Sequence, residues 1–312
     1  MAGAGARQRP EPREVTPHVR GVHTPFRPAA GQTGGGFKAV ESPMESSNEF
    51  TAVQPAKPVA PYVGGKRALA GRLVQLIETI HHDTYAEPFV GMGGVFLRRR
   101  SKPRAEVIND ASGDVANLFR ILQRHYVAFL DELRFGITSR REFERLTAAN
   151  PATLTDLERA ARFLYLQRTA FGGKVDGRSF GVSYGAPGRF DVTKLQPLLE
   201  AVHERLAGVV IEQLGYGDFI ARYDRPGVLF FLDPPYWGSE GYYGEALFSR
   251  ADFELLRGLL ERLQGRFVLT INDVAETREL FARFDIQDAA LNYRVSGKVT
   301  EARELIVMGG GA

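Results

Sequence analysis

The chain has 312 residues, 44% hydrophobic and 25% charged. It can form one large globular domain or two modest ones, and it holds no apolar run near the roughly 18–20 residues of a membrane span. It has no cysteine, which excludes disulfides and thiolate zinc sites, points to a reducing cytoplasm, and removes the thiol that methylation of cytosine at carbon 5 would need. The net charge is +3, with Arg98, Arg99 and Arg100 adjoining and Arg162, Arg168, Lys174, Arg178, Arg189 and Lys194 gathered mid-chain; phosphate backbones favour such clusters, and so does a plain solvated surface.

Residues 1–60 are rich in Pro, Gly, Ala and Ser and have no apolar period, nor the apolar core of a secretory signal. GQTGGG (31–36) reads as flexible and VQPAKPVAP (53–61) as extended linker, so this leader is expected to lie outside the fold. From Pro61 the texture changes. A helix is expected over 68–80, with Leu69, Leu73, Leu76 and Ile80 on one face. TYAEPF (84–89) is a short strand entering the glycine turn GMGG (91–94), and VFLRRR starts a helix. A strand follows at 105–110, then one long amphipathic helix at 114–133 and two more near 139–149 and 154–170.

FGGKVDGRSFGVSYGAPGRF (171–190) interleaves glycines with aromatic and basic residues, as hairpins or exposed loops do. A helix returns at 192–206, then a strand at 209–214. GVLFFLD (227–233) is a continuous apolar run, as expected of a buried parallel strand. Helix 251–264, strand 266–272, helix 274–283 and strands near 286–295 and 303–308 complete the chain. This alternation predicts a doubly wound, Rossmann-like α/β sheet with helices on both faces, and an insertion at 136–192.

The sharpest feature is Asp233-Pro234-Pro235-Tyr236, at the carboxyl end of the most apolar strand, where open α/β sheets bind ligands. Two prolines hold a rigid turn and remove two backbone donors, leaving carbonyls as acceptors beside a carboxylate and a ring. Methylating an adenine amino group needs such acceptors, because the nitrogen lone pair is delocalised into the base. Asp233 and the Pro234 carbonyl could draw on both amino hydrogens while Tyr236 stacks on an extruded base.

A second feature is Glu87-Pro88-Phe89-Val90-Gly91-Met92-Gly93-Gly94, where glycines let a nucleotide-like ligand approach the backbone. It is a poor match to G-x-G-x-x-G, and no Walker lysine follows. About twenty residues on, the next strand ends in Asn109-Asp110, an acid suited to ribose hydroxyls. A third is Tyr62-Val63-Gly64-Gly65-Lys66 at a helix start, able to hold an anion. His81 and His82 are expected only to meet a helix dipole, and Arg98–Arg100 to form a solvated helix face. Trp237 could shield a pocket or simply pack.

Taken in order, PYVGGK, EPFVGMGGVF, VINDASGDVANLF and FLDPPYWG resemble the Dam-type family of adenine-specific DNA methyltransferases, over about residues 61–309. The resemblance implies S-adenosylmethionine as cofactor, contacted by Tyr62, Lys66, Asp110 and Asp233, with Glu87, Phe89 and the turn of Gly91 and Gly93 lining its pocket. Asp218 and Phe219, expected in the loop after strand 209–214, look like the family's platform for the cofactor adenine. Asp233, Pro234, Pro235 and Tyr236 would handle the target base. AFGGKVDGRSFGVSYG is similar to the family's DNA-binding hairpin, which puts Arg178, Phe180 and Tyr184 near double-stranded DNA, with Arg168 and Lys174 beside them. Tyr62 stands where members often carry tryptophan, and the leader lies outside the family pattern.

The implied layout is a catalytic domain at 61–135 and 193–309 with a target-recognition insert at 136–192. Direct in-line transfer needs neither a metal nor a covalent intermediate. The expected partners are DNA and a companion restriction endonuclease, with no membrane. The turn alone also suits cytosine in DNA, adenine in RNA or protein glutamine, and a silent DNA-binding relative is a further alternative. A nicotinamide dehydrogenase is disfavoured by the glycine spacing.

Overall fold

The computed structural model describes residues 50–181, 185–239, 248–295 and 298–311. In chain order these form β1 (Thr51–Ala52), α1 (Ala70–Thr79), β2 (Thr84–Glu87), β3 (Ser101–Lys102), β4 (Ala105–Asn109), α2 (Gly113–Arg124), α3 (Tyr126–Leu133), α4 (Arg140–Ala148) and α5 (Asp156–Thr169). Then come α6 (Val192–Arg205), β5 (Val210–Glu212), α7 (Tyr216–Tyr223), β6 (Val228–Leu232), α8 (Arg250–Leu260), β7 (Arg266–Asn272), α9 (Ala275–Leu280), β8 (Asp285–Val295) and β9 (Lys298–Gly310).

Seven strands make one sheet in the order β5-β4-β2-β6-β7-β9-β8, while β1 pairs with β3 apart from it. The first five run parallel, and β9 lies antiparallel to both β7 and β8. From β2 the sheet grows through β4 to β5 on one side and from β6 to β7 on the other. The winding therefore reverses between β2 and β6, and such a reversal opens a crevice at the carboxyl ends of the two strands.

Side chains of a strand alternate between faces, and β6 shows what that does. Val228, Phe230 and Leu232 join Phe219 and Ile220 of α7 and Phe253, Leu256 and Leu260 of α8 in one apolar cluster. Leu229 and Phe231 point the other way, into a cluster with Leu73 and Ile77 of α1, Leu118 and Leu122 of α2 and Leu199 of α6. With every β6 residue buried, the sheet is covered on both sides, as the continuous apolar run predicts.

Three features differ from the sequence reading. Residues 50–60 join the fold: β1 pairs with β3, and Ala56, Val59 and Ala60 are buried in the first cluster. Their side chains are small and set among prolines, so no apolar period marks them. VFLRRR forms only a short 3-10 turn at Phe96–Arg98 before β3. The helix expected at 114–133 breaks at His125 (φ −124°, ψ 31°) into α2 and α3. There a ring nitrogen of His203 on α6 lies 2.8 Å from the Leu122 carbonyl oxygen, and its ring stacks on Tyr126 at 4.8 Å. Helix α5 packs on α2 and α3, and its Phe163, Leu164 and Leu166 lie in the first cluster.

Candidate active site

Three strand ends deliver three carboxyl groups to one cavity. Glu87 ends β2, Asp110 follows β4 and Asp233 follows β6, and all three line a space of about 770 Å³ together with Tyr62, Lys66, Phe89, Tyr216 and Phe248. The spacing of the parallel strands places these acids side by side although they lie far apart in the chain.

Each acid is fixed by a neighbour. The Tyr85 hydroxyl donates to Glu87 Oε2 at 2.6 Å, and burial pushes the Glu87 carboxyl up to about 8, against the pull of that hydrogen bond and with a smaller push from Asp233. Asp110 accepts from the Gly91 and Ser112 amides, both at 2.9 Å; burial raises it to about 6. Asp233 Oδ1 pairs with Lys66 Nζ at 2.5 Å and accepts from Thr270 Oγ1 at 2.9 Å. Burial lifts Asp233 above the usual carboxylate range, opposed chiefly by Lys66.

Lys66 is itself buried at 3% exposure. Its ammonium donates to the Gly64 carbonyl at 3.0 Å and lies 4.5 Å from the centre of the Tyr236 ring. The first-helix turn and the Asp-Pro-Pro-Tyr turn are thus one unit. Asn109 knits the remaining loops: its amide donates to the Pro88 and Leu214 carbonyls at 2.9 and 3.0 Å, and its Oδ1 accepts from the Leu214 amide at 2.8 Å.

The glycine turn has its own requirement. Gly91 takes φ 49°, and a Cβ there would sit 3.2 Å from Tyr62 Cδ1. Gly91→Ala is therefore expected to strain the left-handed backbone by ~1 kcal/mol or more and displace the Tyr62 ring. Calorimetry should show cofactor affinity falling roughly tenfold or more, whereas unchanged affinity would mean that the turn does not shape the site.

Several expected residues do not line the cavity: Gly93, Pro234 and Tyr236 stand behind its wall, with Tyr236 reached through Lys66, and others lie elsewhere. Phe219 is fully buried in the second cluster and Asp218 lies on α7, so neither lines the cavity; Gly215 and Tyr216 do. Tyr216 stacks with Phe89 at 5.6 Å, so the aromatic ring at the cavity stands three residues before the one expected. Its signal was the spacing of Tyr216, Phe219, Ile220 and Tyr223, a helical face obscured by Gly215 and Gly217. Trp237 packs against Phe253 at 5.0 Å, and its backbone is clasped by the Asn272 side chain at 2.9 and 3.0 Å.

The basic and aromatic positions divide similarly. Arg168 does not face outward: it donates to the Val59 and Arg189 carbonyls at 2.6 and 3.1 Å and braces the cavity wall. Phe180 packs on Phe143 of α4 at 5.4 Å. A bridge between Ala170 and Phe180 closes the hairpin. Lys174 is exposed, and half-buried Arg178 donates to its carbonyl at 3.2 Å. Tyr184 lies outside the described residues. Phe171, which the sequence reading passed over, is 60% exposed at the hairpin's start; an aromatic followed by two glycines, between Arg168 and Lys174, was its signal.

Two expected surface groups are interior. Arg99 is 0% exposed, pairs with Glu106 at 2.6 Å and lies 3.8 Å over the Tyr85 ring. Arg205 meets the same carboxylate at 2.7 Å. His82 is buried against Phe50, with ring centres 5.0 Å apart, and burial brings its pKa down to about 4, so it packs as a neutral ring. Among the described residues no cluster of acids and histidines suits a metal ion.

This arrangement offers acceptors to an amino group, aromatic faces to a base and acids to a cation. The comparisons with known proteins agree with it. Residues 62–295 match the D12 class N6 adenine-specific DNA methyltransferase family. The chain is 23% identical over 249 residues to the type II methyltransferase M.CviBI of Paramecium bursaria Chlorella virus NC1A, covering 78% of this chain and 94% of that one. It is 27% identical over 256 residues to the type II methyltransferase M1.LlaDCHI of Lactococcus lactis subsp. cremoris, covering 74% and 86%. It is also 30% identical over 217 residues to the DNA N-6-adenine-methyltransferase of Escherichia phage P1, covering 62% of this chain and 27% of that longer protein. The chain belongs to the D12 class of N6 adenine-specific DNA methyltransferases, enzymes that methylate the amino group of adenine in DNA using S-adenosylmethionine.

Proposed function

We propose that the shared cavity holds S-adenosylmethionine beside an extruded adenine, and that Asp233, Pro234, Pro235 and Tyr236 act on that adenine. The observation that carries this reading is the convergence of Glu87, Asp110 and Asp233 on one space with aromatic walls. The donor set fits the group. Asp110, fixed by two backbone amides, can accept from ribose hydroxyls. Phe89 and Tyr216 offer stacked faces to a purine, and the buried acids suit a cation. The positive φ and tight clearance of Gly91 against Tyr62 make the close backbone approach such a ligand needs.

Once bound, S-adenosylmethionine supplies a sulfonium methyl that is already electrophilic. The chain's own residues then position and polarise. Asp233 and the Pro234 carbonyl accept the two amino hydrogens, which favours a pyramidal nitrogen and frees its lone pair. Tyr236 stacks on the base and substitutes for part of the stacking lost on extrusion, a few kcal/mol. Lys66 holds the Asp233 carboxylate in place until the amino group arrives. Pro235 keeps the turn rigid and shares the cavity wall.

For the DNA side, residues 136–192 serve target recognition, with Lys174 and Arg178 near the backbone and exposed Phe171 available to stack against bases. The type II names of two relatives support a companion endonuclease. The DNA substrate and the absence of cysteine support a cytoplasmic setting, and no described helix is long and apolar enough to cross a membrane.

Glu87 gives this reading a pH signature. Its carboxyl titrates near 8 in the free protein, so it carries a proton at neutral pH. A cation placed beside it favours the charged form and lowers that value. Cofactor binding at pH 7 should therefore release a proton, and affinity should rise toward pH 8 and level off above it. The sign for stability is opposite: raised folded-state values for Glu87 and Asp110, about 8 and about 6, stabilise the free chain at low pH and withdraw that contribution as pH rises through them. Calorimetry in buffers of different ionisation enthalpy measures the release; its absence in the wild type would place the cation away from Glu87.

A further inference from the structure

The glycine turn of the cavity has acids at one end and cations at the other. At its start, the Gly91 amide donates to Asp110 at 2.9 Å. At its end, the Arg98 guanidinium donates through Nη1 to the Gly94 carbonyl. That bond uses one edge of a planar fork and leaves further donors in the cavity wall, which Arg98 lines together with Arg67. The two arginines come from separate segments, Arg67 from the turn entering α1 and Arg98 from the 3-10 turn after the glycines. The segments are adjacent: a Cβ on Gly94 would lie 3.5 Å from the Lys66 amide nitrogen. Burial pulls the Arg98 guanidinium down from its ordinary value, and the charge of Arg67 adds to this. No carboxylate pairs with either side chain among the described residues.

Two cations converging on a cavity wall, repelling each other and lacking an acid, are arranged for an anion. We propose that Arg98 and Arg67 form the subsite for the carboxylate of the cofactor's amino-acid end. The inference rests on the reading that this cavity holds S-adenosylmethionine, and it fixes how the cofactor lies. The adenosine end meets Asp110 and Tyr216, and the amino-acid end meets the far side of the glycine turn. Lys66, already paired with Asp233, is then free of carboxylate binding and belongs to the reaction centre. A DNA phosphate offers the same anionic chemistry, and the test separates the two sources.

Calorimetric titration of the full chain with S-adenosylmethionine and with its decarboxylated analogue, which keeps the adenosine and the sulfonium, reads the subsite without any turnover. Wild type should prefer the carboxylate-bearing ligand by about tenfold or more, the scale of a charge-assisted pair. The double variant Arg98→Gln, Arg67→Gln should lose that preference while binding the decarboxylated analogue about as wild type does, which also shows that the site is still folded. Should the double variant not fold, the exposed single change Arg67→Gln should still cut the preference measurably. A preference that survives these substitutions overturns the inference and leaves the cavity reading standing. An intact preference combined with a shallower salt dependence of binding to a short DNA duplex overturns it in favour of phosphate. Wild type that binds neither ligand removes the cavity reading, and this inference with it.

Discussion

Asp233→Ala is expected to reduce methyl transfer in single-turnover assays by about a hundred- to a thousandfold, the loss typical of removing one electrostatic group aimed at the reacting atoms. Asp233→Asn should fall less, because its amide oxygen can still accept one amino hydrogen. Tyr236→Ala should cost roughly ten- to a hundredfold, the worth of one base stacked on a ring, and Tyr236→Phe should keep most activity. The ranking carries the test. If the two Asp233 variants were equally and mildly impaired, the carboxylate would be serving the fold alone. That possibility is concrete, since Lys66 is 3% exposed and loses its charged partner in either variant. Thermal melting of each variant separates the two losses.

The second large effect concerns stability. Glu106 is 4% exposed and sits between two buried arginines, Arg99 and Arg205. Both pairs are short, with Arg205 reaching both carboxylate oxygens at 2.7 Å. Glu106→Gln removes the charge and leaves two cations in the interior, a change that costs about 3–5 kcal/mol when one partner of a buried ionic group is lost. Urea unfolding should show that loss as a lower midpoint. None of the three lines the cavity, so activity per folded molecule should largely persist. A change below ~1 kcal/mol would mean that water reaches the cluster and solvates the orphaned charges.

The same cluster shows why part of the molecule was hidden in the sequence. Arg99 stands among three arginines, the pattern of a solvated face, and its partner Glu106 and fellow cation Arg205 come from separate elements. Only the tertiary fold brings together Arg99 after the 3-10 turn, Glu106 on β4 and Arg205 on α6, and no local period records it. Residues 50–60 were invisible for a different reason: Ala56, Val59 and Ala60 fill small spaces among prolines and make no amphipathic pattern.

What could be read rested on strand ends. The continuous apolar run of β6 announced a strand buried on both faces, and its alternating side chains split into the two observed clusters. An acid directly after such a strand has few places to point except the crevice at the winding reversal. Asp233 and Asp110 were legible on that ground, and Glu87 as the last residue before a proline. Asp218 and Phe219 were misplaced because a short helix starting at a glycine reads as a loop; Tyr216, in its first turn, reaches the cavity, while Phe219 on the same face is one turn deeper in the core. Arg168 and Phe180 were named for charge and aromaticity, but the hairpin uses them to hold itself to Val59 and Phe143. Composition tells which residues can touch DNA; the bridge between Ala170 and Phe180 decides which are available.

The central claim is that three strand-end acids and one ring form a single centre for methylating adenine. Expression of the wild type and of Asp233→Ala in cells that lack adenine methylation, followed by genome-wide mapping of modified bases, tests it most directly. The account predicts N6-methyladenine at one recurring short sequence with the wild type and none with the variant. Modification of cytosine instead, or equal adenine methylation from the two proteins, would contradict it.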